Sequence, residues 1–291
     1  MVITSLQNPK LKQVVKWRDR RDRDRDQVVL LEGYRALSRA LAAGFGVHEV
    51  FYCPELYVGT HEGQLLAALA SRGAQLIQVA PVPFAKMTYR DRPEGLLGIG
   101  HQIHRTLADI PRKDTPPFLL VAEQIEKPGN LGTMLRSADA AGVDALVLCD
   151  PRTDLWNPNV VRASTGVLFS MPIPECTSRQ AFKYLKDNHI QILATTPHAE
   201  KLFTEVDLTG PVAMVVGSEQ VGLSSLWMDH ADLQVRLPMM GAADSLNVAT
   251  ATTISLYEVL RQRLAAGMMT VPPPAPDEHN RAYDRDDDES F

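Results

Sequence analysis

The sequence predicts an α/β protein with two domains, and three observations carry this prediction. Short apolar runs alternate with amphipathic helical segments over residues 1–105, with glycines at the turns. A polar, proline-containing stretch over residues 106–116 predicts a linker. The alternation then restarts over residues 117–267, with runs rich in Val, Leu and Ile that are typical of a parallel sheet buried on both faces. With 291 residues, 45% of them hydrophobic, the chain can form a core in each domain.

The first domain is predicted to be an α/β sandwich. It opens with a basic amphipathic helix in NPKLKQVVKW, which runs into a charged segment that we expect to be a loop. Strands and glycine-terminated helices then alternate through the segments VVLLEG, YRALSRALAAG, VHEVFYC, HEGQLLAALASRG, AQLIQVA and GLLGIGHQI.

The second domain is predicted to hold a parallel sheet with helices between its strands. The predicted strands are FLLVAE, ALVLCD, QILATT, VAMVVG and LQVRLP, and the helices are NLGTMLRSADAAG, SRQAFKYLKDN and a long final helix from Val248. Residues 268–291 are rich in proline and then in acidic residues, so we expect this tail to be disordered.

The charge of the chain is unevenly distributed. The formal net charge is −5, but residues 1–105 carry 15 Lys and Arg against 10 Asp and Glu, a balance of +5. A basic first domain favours a partner rich in phosphates, such as RNA.

The cysteines and the hydropathy pattern indicate the compartment in which the protein is expected. Cys53, Cys149 and Cys176 form no CxxC pair, which favours reduced thiols in a cytoplasmic protein. The N-terminal segment has no apolar signal region, and no apolar run reaches 18 residues, so we expect no membrane partner. His101 and His104 lack companions at ligand spacing, so we expect no metal.

Three segments of the second domain place Gly, Asn, Ser or an acid where a strand gives way to a helix or a loop. In a parallel sheet, ligands bind at the carboxyl ends of the strands. The first segment, EKPGNLGTMLRSADAAG, holds Asn130 and Arg136, which lie less than two helical turns apart. Taken alone, this segment favours the alternative in which Asn130 is a helix N-cap and Arg136 is a surface charge.

The second segment is VVGSEQVGL, in which a strand runs into Gly217 and Glu219 follows in a tight loop. The third is LPMMGAADSLNV, whose Pro238 and Gly241 suit a loop that presents bare backbone groups to a flat ligand, with Ser245 and Asn247 adding side-chain hydrogen bonds. An alternative for the third segment is that Ser245 only caps the final helix. The glycine fingerprint of dinucleotide-binding proteins is missing, which disfavours a dehydrogenase.

Together, the order, spacing and wording of the three segments resemble the motifs of the SpoU family of RNA 2′-O-ribose methyltransferases, within the SPOUT superfamily. Residues 1–105 are similar to the L30e-like RNA-binding domain of that family, through ITSLQNPKLKQVVKWRDRRDRDR and LLEGYRALSRAL. The resemblance implies that residues 117–267 form a methyltransferase domain with a deep trefoil knot. It also implies a homodimer whose active site takes residues from both subunits.

The resemblance assigns the cofactor, S-adenosylmethionine, to the loops after VVG and before the last helix. Its pocket would be formed by Gly217, Leu237, Met239, Leu246 and Asn247, with Met239 and Leu246 on either side of the adenine. The family's last motif often has Ser where this chain has Ala249, while Ser245 and Asn247 are in place.

The catalytic residues implied by the resemblance are Arg136, Asn130, Glu219, Ser245 and Asn247. Because a guanidinium is always protonated, we expect Arg136 to bind a phosphate and stabilise the developing alkoxide rather than act as a base. Arg162, in NPNVVRASTG, is expected to contact a phosphate of the target nucleotide, with a solvated or interface arginine as the alternative.

Further phosphate contacts are expected from Lys10, Lys12 and Lys16, because no acid lies among them. The run RDRRDRDRDQ has five Arg and four Asp, which favours a solvated, self-paired surface. The resulting expectation is a ribosomal RNA methyltransferase that acts on the RNA of the large subunit. The alternatives are a tRNA 2′-O-methyltransferase and a non-catalytic RNA-binding or ribosome-assembly factor.

Overall fold

The computed structural model describes residues 2–273. Most of the predicted tail, from residue 274 onward, lies outside the described residues. The described part contains two sheets, one on each side of the stretch predicted to be a linker. Within it, no helix is both long and apolar enough to cross a membrane.

The N-terminal sheet has four strands in the order β1-β4-β2-β3. β1 and β2 are each antiparallel to β4, and β2 is parallel to β3. The elements, in chain order, are α1 (Pro9–Lys16), α2 (Arg20–Asp26), β1 (Val28–Glu32), α3 (Tyr34–Ala42), β2 (Val47–Tyr52), α4 (Glu62–Ser71), β3 (Gln75–Gln78), α5 (Pro81–Met87) and β4 (Leu96–His101).

Helices cover both faces of this sheet, which explains why β1 is apolar at successive positions. Val29 and Leu31 belong to the core that includes α3 and α4, whereas Val28 and Leu30 face the core formed with α1 and α5. Alternate side chains of a strand point to opposite faces. The predicted α/β sandwich is therefore confirmed.

The charged run differs from the prediction, because it forms the helix α2 rather than a loop. Asp19 caps the helix by accepting a hydrogen bond from the Arg21 N–H (2.9 Å). Ion pairs one turn apart then join Arg20 to Asp24 and Arg25 to Asp22. Alternating opposite charges place such pairs at helical spacing, which stabilises a helix that has little apolar surface.

The C-terminal sheet has seven strands in the order β7-β6-β5-β10-β8-β11-β9, and every adjacent pair is parallel. Its elements are β5 (Phe118–Glu123), α6 (Pro128–Ala140), β6 (Ala145–Cys149), α7 (Pro158–Ala163), β7 (Glu175–Cys176), α8 (Ser178–Asp187), β8 (Gln191–Thr195), β9 (Lys201–Leu202), β10 (Val212–Val216), α9 (Ser225–His230), β11 (Leu233–Arg236) and α10 (Val248–Ala265). All residues of β5, β6 and β10 are buried, as the apolar runs predicted.

The strand order reverses between β5 and β10. From β5 the chain proceeds outward through β6 and β7, and it then returns on the other side of β5 through β8 and β10. A reversal of this kind opens a crevice at the carboxyl ends of the two central strands. The fold thus predicts a ligand site beside Glu123 and Gly217, where β5 and β10 end.

The last helix is anchored at the beginning of the C-terminal sheet. Arg263, buried near the end of α10, donates hydrogen bonds to the carbonyl oxygens of Pro116 (2.9 Å), Pro117 (3.0 Å) and Gly210 (2.7 Å). Burial lowers the pKa of its guanidinium. The threading that would make this arrangement a trefoil knot stays a prediction.

The two sheets are joined through a buried ion pair and an aromatic cluster. Arg23 of α2 pairs with Asp154, which follows β6, and it also donates to the carbonyl oxygens of Trp17 (2.9 Å) and Arg18 (2.7 Å). Phe45 packs against Phe169, with ring centroids 4.6 Å apart. Arg23 is only 1% exposed, so the prediction of a solvated, self-paired run is wrong for this residue.

Candidate active site

The three segments singled out in the sequence meet at the carboxyl edge of the C-terminal sheet. Asn130 lies in the first turn of α6, where Lys127 is the N-cap residue and Pro128 occupies the first position. The alternative in which Asn130 caps the helix is therefore wrong. Because its side chain is free of that role, its Nδ2 donates a hydrogen bond to Oε1 of Glu219, 89 residues away.

Asn247 is the N-cap of α10 and joins the same network. Its Oδ1 accepts hydrogen bonds from the N–H groups of Ala249 (3.0 Å) and Thr250 (3.4 Å). Its Nδ2 donates to Oδ1 of Asn130 (3.2 Å). The alternative in which Ser245 caps the helix is wrong, because Asn247 fulfils that role. Ser245 is exposed and makes no hydrogen bond within residues 2–273.

Glu219 projects from a narrow loop whose two sides are hydrogen-bonded to each other. Ser218 and Gly222 exchange backbone hydrogen bonds of 3.2 and 3.0 Å. A Cβ at Gly217 would lie 2.5 Å from the N atom of Leu223, so only glycine fits where the loop leaves β10. The Oε2 atom of Glu219 is buried and has no hydrogen-bond partner among the described residues. A buried oxygen without a partner is unusual, and here it belongs to the residue that joins this loop to Asn130.

Glu123, at the end of β5, organises the site and was missed by the sequence analysis. It is 2% exposed, and its carboxylate accepts four hydrogen bonds, from Ser224 N (2.8 Å), Ser224 Oγ (2.8 Å), Trp227 Nε1 (3.0 Å) and Ser178 Oγ (2.6 Å). These bonds hold the far end of the Glu219 loop against the sheet. The available signal was an acid at the end of an otherwise apolar strand, because buried carboxylates require several donors.

The loop between β11 and α10 has the backbone character expected of a ligand pocket. Among the described residues, none forms a hydrogen bond with the backbone of residues 238–246. Leu237 packs against the main core, Met239 is partly buried and Leu246 is exposed. Free amides and carbonyls, apolar side chains and the unpartnered oxygen of Glu219 are a donor and acceptor set that fits an adenosine and an amino-acid group.

The two arginines predicted to act on RNA lie on the helices beside this site. Arg136 and Arg162 are both exposed; Arg162 donates to Oδ1 of Asn159 (3.1 Å), while Arg136 has no partner in the described part of the chain. The hydrogen-bonded network of Glu219, Asn130 and Asn247 therefore does not include Arg136. The catalytic role assigned to Arg136 stays a prediction.

The predicted lysine cluster on α1 is only partly free. Lys10 pairs with Glu49 and donates to Oε1 of Gln75 (3.2 Å), so its charge is compensated by an acid that the local sequence did not reveal. Lys12 and Lys16 are exposed and have no partner between residues 2 and 273. No group of three or more His, Cys, Asp or Glu positioned to hold a metal occurs in that range.

The family models of known proteins match both parts of the chain. Residues 117–257 match the SpoU rRNA Methylase family, and residues 8–98 match the MRM3-like substrate binding domain. The 23S rRNA (uridine(2479)-2′-O)-methyltransferase of Streptomyces viridochromogenes is 30% identical over 262 residues, which cover 87% of this chain and 90% of that protein. The 23S rRNA (guanosine(2553)-2′-O)-methyltransferase RlmP of Bacillus subtilis is 28% identical and covers 88% of this chain and 98% of its own length.

Solved structures are similar over nearly the whole chain. A crystal structure of an RNA 2′-O ribose methyltransferase shares 40% identity and a TM-score of 0.81, covering 91% of this chain and 100% of that one. The AdoMet-bound rRNA methyltransferase of Sinorhizobium meliloti shares 30% identity and a TM-score of 0.81, covering 90% and 97%. The chain belongs to the SpoU rRNA methylase family.

Proposed function

We propose that this protein transfers the methyl group of S-adenosylmethionine to a ribose 2′-hydroxyl of large-subunit ribosomal RNA. One observation carries the proposal: three loops, each following a different strand, are joined by the hydrogen bonds of Glu219, Asn130 and Asn247 at the reversal point of the sheet. The similarity to 23S rRNA 2′-O-methyltransferases supports the substrate class.

When bound, S-adenosylmethionine supplies a methyl group on a sulfonium. The residues that would hold it are Gly217, Leu237, Met239, Leu246 and Asn247. The free backbone groups of residues 238–246 would pair with the polar atoms of the cofactor.

The target ribose requires a hydrogen-bond acceptor and a positive charge beside its 2′-oxygen. The buried Oε2 of Glu219 is a free acceptor, and Asn130 fixes the carboxylate through its other oxygen. Arg136 would contribute the positive charge that stabilises the developing alkoxide, and Ser245 would position substrate and cofactor. Arg162, on the neighbouring helix α7, would hold a phosphate of the target nucleotide.

A homodimer in the cytoplasm completes the proposal. Ile254 and Tyr257 of α10 are 41% and 47% exposed, although apolar side chains on a helix are usually buried. Pairing of this face with a second copy would cover them. It would also account for an Arg136 side chain that is exposed within its own chain.

The test uses tritiated S-adenosylmethionine with naked 23S rRNA, 16S rRNA and bulk tRNA in separate reactions. We expect label in 23S rRNA at one ribose, seen as a dinucleotide that resists alkaline hydrolysis. Arg136→Ala is expected to abolish it, whereas Arg179→Ala, which removes an exposed arginine on α8, is the matched control.

The other outcomes separate the alternatives. Label in tRNA would mean that the substrate is tRNA rather than ribosomal RNA and that the reaction is the one proposed. Cofactor binding without label in any free RNA would point to an assembled ribosomal particle. Absence of both cofactor binding and label would leave an RNA-binding or ribosome-assembly factor with this fold.

A further inference from the structure

The charged run from Arg18 to Gln27 contains two arginines that no acid neutralises. Its four aspartates are all engaged, in contacts of Asp19 with the Arg21 N–H, Asp22 with Arg25, Asp24 with Arg20, and Asp26 with Gln13, Trp17 and Arg25. Arg23 forms its ion pair with Asp154 of the other domain. Among the described residues, the guanidinium groups of Arg18 and Arg21 therefore have no carboxylate partner.

Arg18 is held by an aromatic ring instead. Its guanidinium carbon lies 5.1 Å from the centroid of Tyr89, over the face of the ring. Tyr89 is 39% exposed, and its hydroxyl has no hydrogen-bond partner within residues 2–273. A guanidinium stacked on a tyrosine leaves its N–H groups available at the edge of the ring.

The loop that carries Tyr89 is fixed to the sheet through its backbone. The N–H groups of Tyr89 and Arg90 donate to the two carboxylate oxygens of Glu32, at 2.9 and 3.1 Å. Arg90 is paired with Glu94. Glu32 and Glu94 are thus occupied, and burial raises the pKa of Glu32. The side chain of Tyr89 takes no part in holding its own loop.

This loop forms one wall of a cleft between the two domains. Glu32, Tyr89 and Arg90 face Asn159, Val161 and Arg162 of α7 across it. In the described part of the chain, the exposed Arg162 has Asn159 as its partner and no acid, so Arg162 brings an uncompensated positive charge to the cleft.

Helix α7, which lines the cleft, also contacts the helix that carries Asn130. Helix α7 packs directly on the first turns of α6, where a Cβ at Gly132 would lie 3.0 Å from the Val160 carbonyl oxygen and from the Ser164 N atom. Gly132 is two residues beyond Asn130 in α6, and Val160 is two residues before Arg162 in α7. Lys10, by contrast, is tied to β2 and β3, at the opposite edge of the N-terminal sheet from β1.

We infer that Arg18, Tyr89 and Arg162 form a binding subsite for an unpaired nucleotide of the substrate RNA, next to the nucleotide that is methylated. Its base stacks on the exposed part of the Tyr89 ring that Arg18 leaves uncovered, and the phosphate that links it to the target nucleotide pairs with Arg162. The inference rests on the proposed function and adds to it the requirement for a single-stranded flank. Stacking of a base on an aromatic side chain contributes roughly 1–3 kcal/mol and accepts any base.

The test compares the wild type, Tyr89→Leu, Tyr89→Phe and Arg18→Ala in methyl transfer to 23S rRNA, with Arg179→Ala as the control. For Tyr89→Leu we expect the KM for RNA to rise by roughly 5- to 150-fold, which is the stacking range converted to a ratio. We expect kcat and cofactor affinity to stay unchanged. Tyr89→Phe keeps the ring and is expected to restore the wild-type KM.

A second measurement tests the contribution of the Arg18 charge to RNA binding. The quantity measured is the slope of log affinity for RNA against log salt concentration. We expect Arg18→Ala to reduce the magnitude of this slope by about one, and Tyr89→Phe to leave it at the wild-type value. The inference is wrong if the wild type methylates 23S rRNA and a folded Tyr89→Leu variant does so with the same KM. If the wild type itself methylates no RNA, it is the proposed function that fails.

Discussion

The Nδ2 atom of Asn247 lies 3.2 Å from Oδ1 of Asn130, so a helix cap at the start of α10 also fixes the first turn of α6. The amide of Asn130 then donates onward to Glu219. The side-chain amide of Asn130 suits this position because its oxygen accepts from Asn247 while its nitrogen donates to Glu219.

Asn130→Asp should therefore break the network on its Glu219 side. The substitution replaces a donor with a second carboxylate beside Glu219, and like charges repel. We expect kcat to fall by roughly 100-fold or more, the size of the loss when one oriented polar group of an active site is removed. Single-turnover methyl transfer checks this, with thermal melting to confirm the fold. Wild-type kcat in a folded variant would contradict the proposed role of the network.

Glu123→Ala should weaken both the fold and the cofactor site. The Ser224 N–H and Trp227 Nε1–H groups would lose their buried acceptor, at a cost of about 1–3 kcal/mol each. Urea denaturation measures the loss, and titration with S-adenosylmethionine measures the affinity. Glu123→Gln, which keeps the shape and one acceptor oxygen, is expected to lose less of both. Equal cofactor affinity in Glu123→Ala and the wild type would show that Glu123 does not position the loop.

The contact between α6 and α7 can be tested with two glycines of one helix. A Cβ at Gly132 would collide with Ala163 and approach the backbone of α7, whereas a Cβ at Gly129 meets nothing within 4 Å. Gly132→Ala is expected to lower the free energy of unfolding by about 1–3 kcal/mol. Gly129→Ala should leave it unchanged or raise it, because alanine favours a helix. Equal unfolding curves for the two variants would contradict the close packing.

Asp154→Asn should weaken the junction of the two domains. The variant keeps the hydrogen bond to the Trp156 N–H and removes the charge that faces the buried Arg23. Leaving a buried arginine unpaired is expected to cost about 3–5 kcal/mol of unfolding free energy. Asp187→Asn, which breaks the exposed pair with Lys183, is the control and should cost less than about 1 kcal/mol. Chemical denaturation of both variants compares them directly.

The three thiols should differ in their reaction with iodoacetamide. The hydrogen bond from Cys149, across the β6–β7 pair, lowers the pKa of Cys176, whereas burial raises the pKa of Cys53 to about 11. A lowered pKa means that more thiolate is present near neutral pH, and the thiolate is the form that reacts. We expect alkylation at Cys176 first, by peptide mass spectrometry, and slower alkylation of Cys176 in Cys149→Ala. Modification of Cys53 before Cys176 would contradict the prediction.

The sequence by itself determined the alternation of strands and helices and the positions of the three loops. Apolar periodicity and glycine at the turns are local properties, so β5, β10 and α10 could be predicted from short windows of sequence. The resemblance of the loops to a known family then indicated the activity and the cofactor. Alternating charge misled the prediction for Arg20–Asp26, because a helix and a loop are both compatible with polar residues.

Only the tertiary structure decided which of the polar residues meet. The pairs Asn130 with Glu219, Lys10 with Glu49, and Arg23 with Asp154 each join residues far apart in the chain. These contacts depend on the strand order and on the packing of the two domains, which local spacing does not encode. The role of Glu123 could not be predicted from the sequence for the same reason. Its four hydrogen-bond donors come from two separate segments that the fold brings to the end of β5.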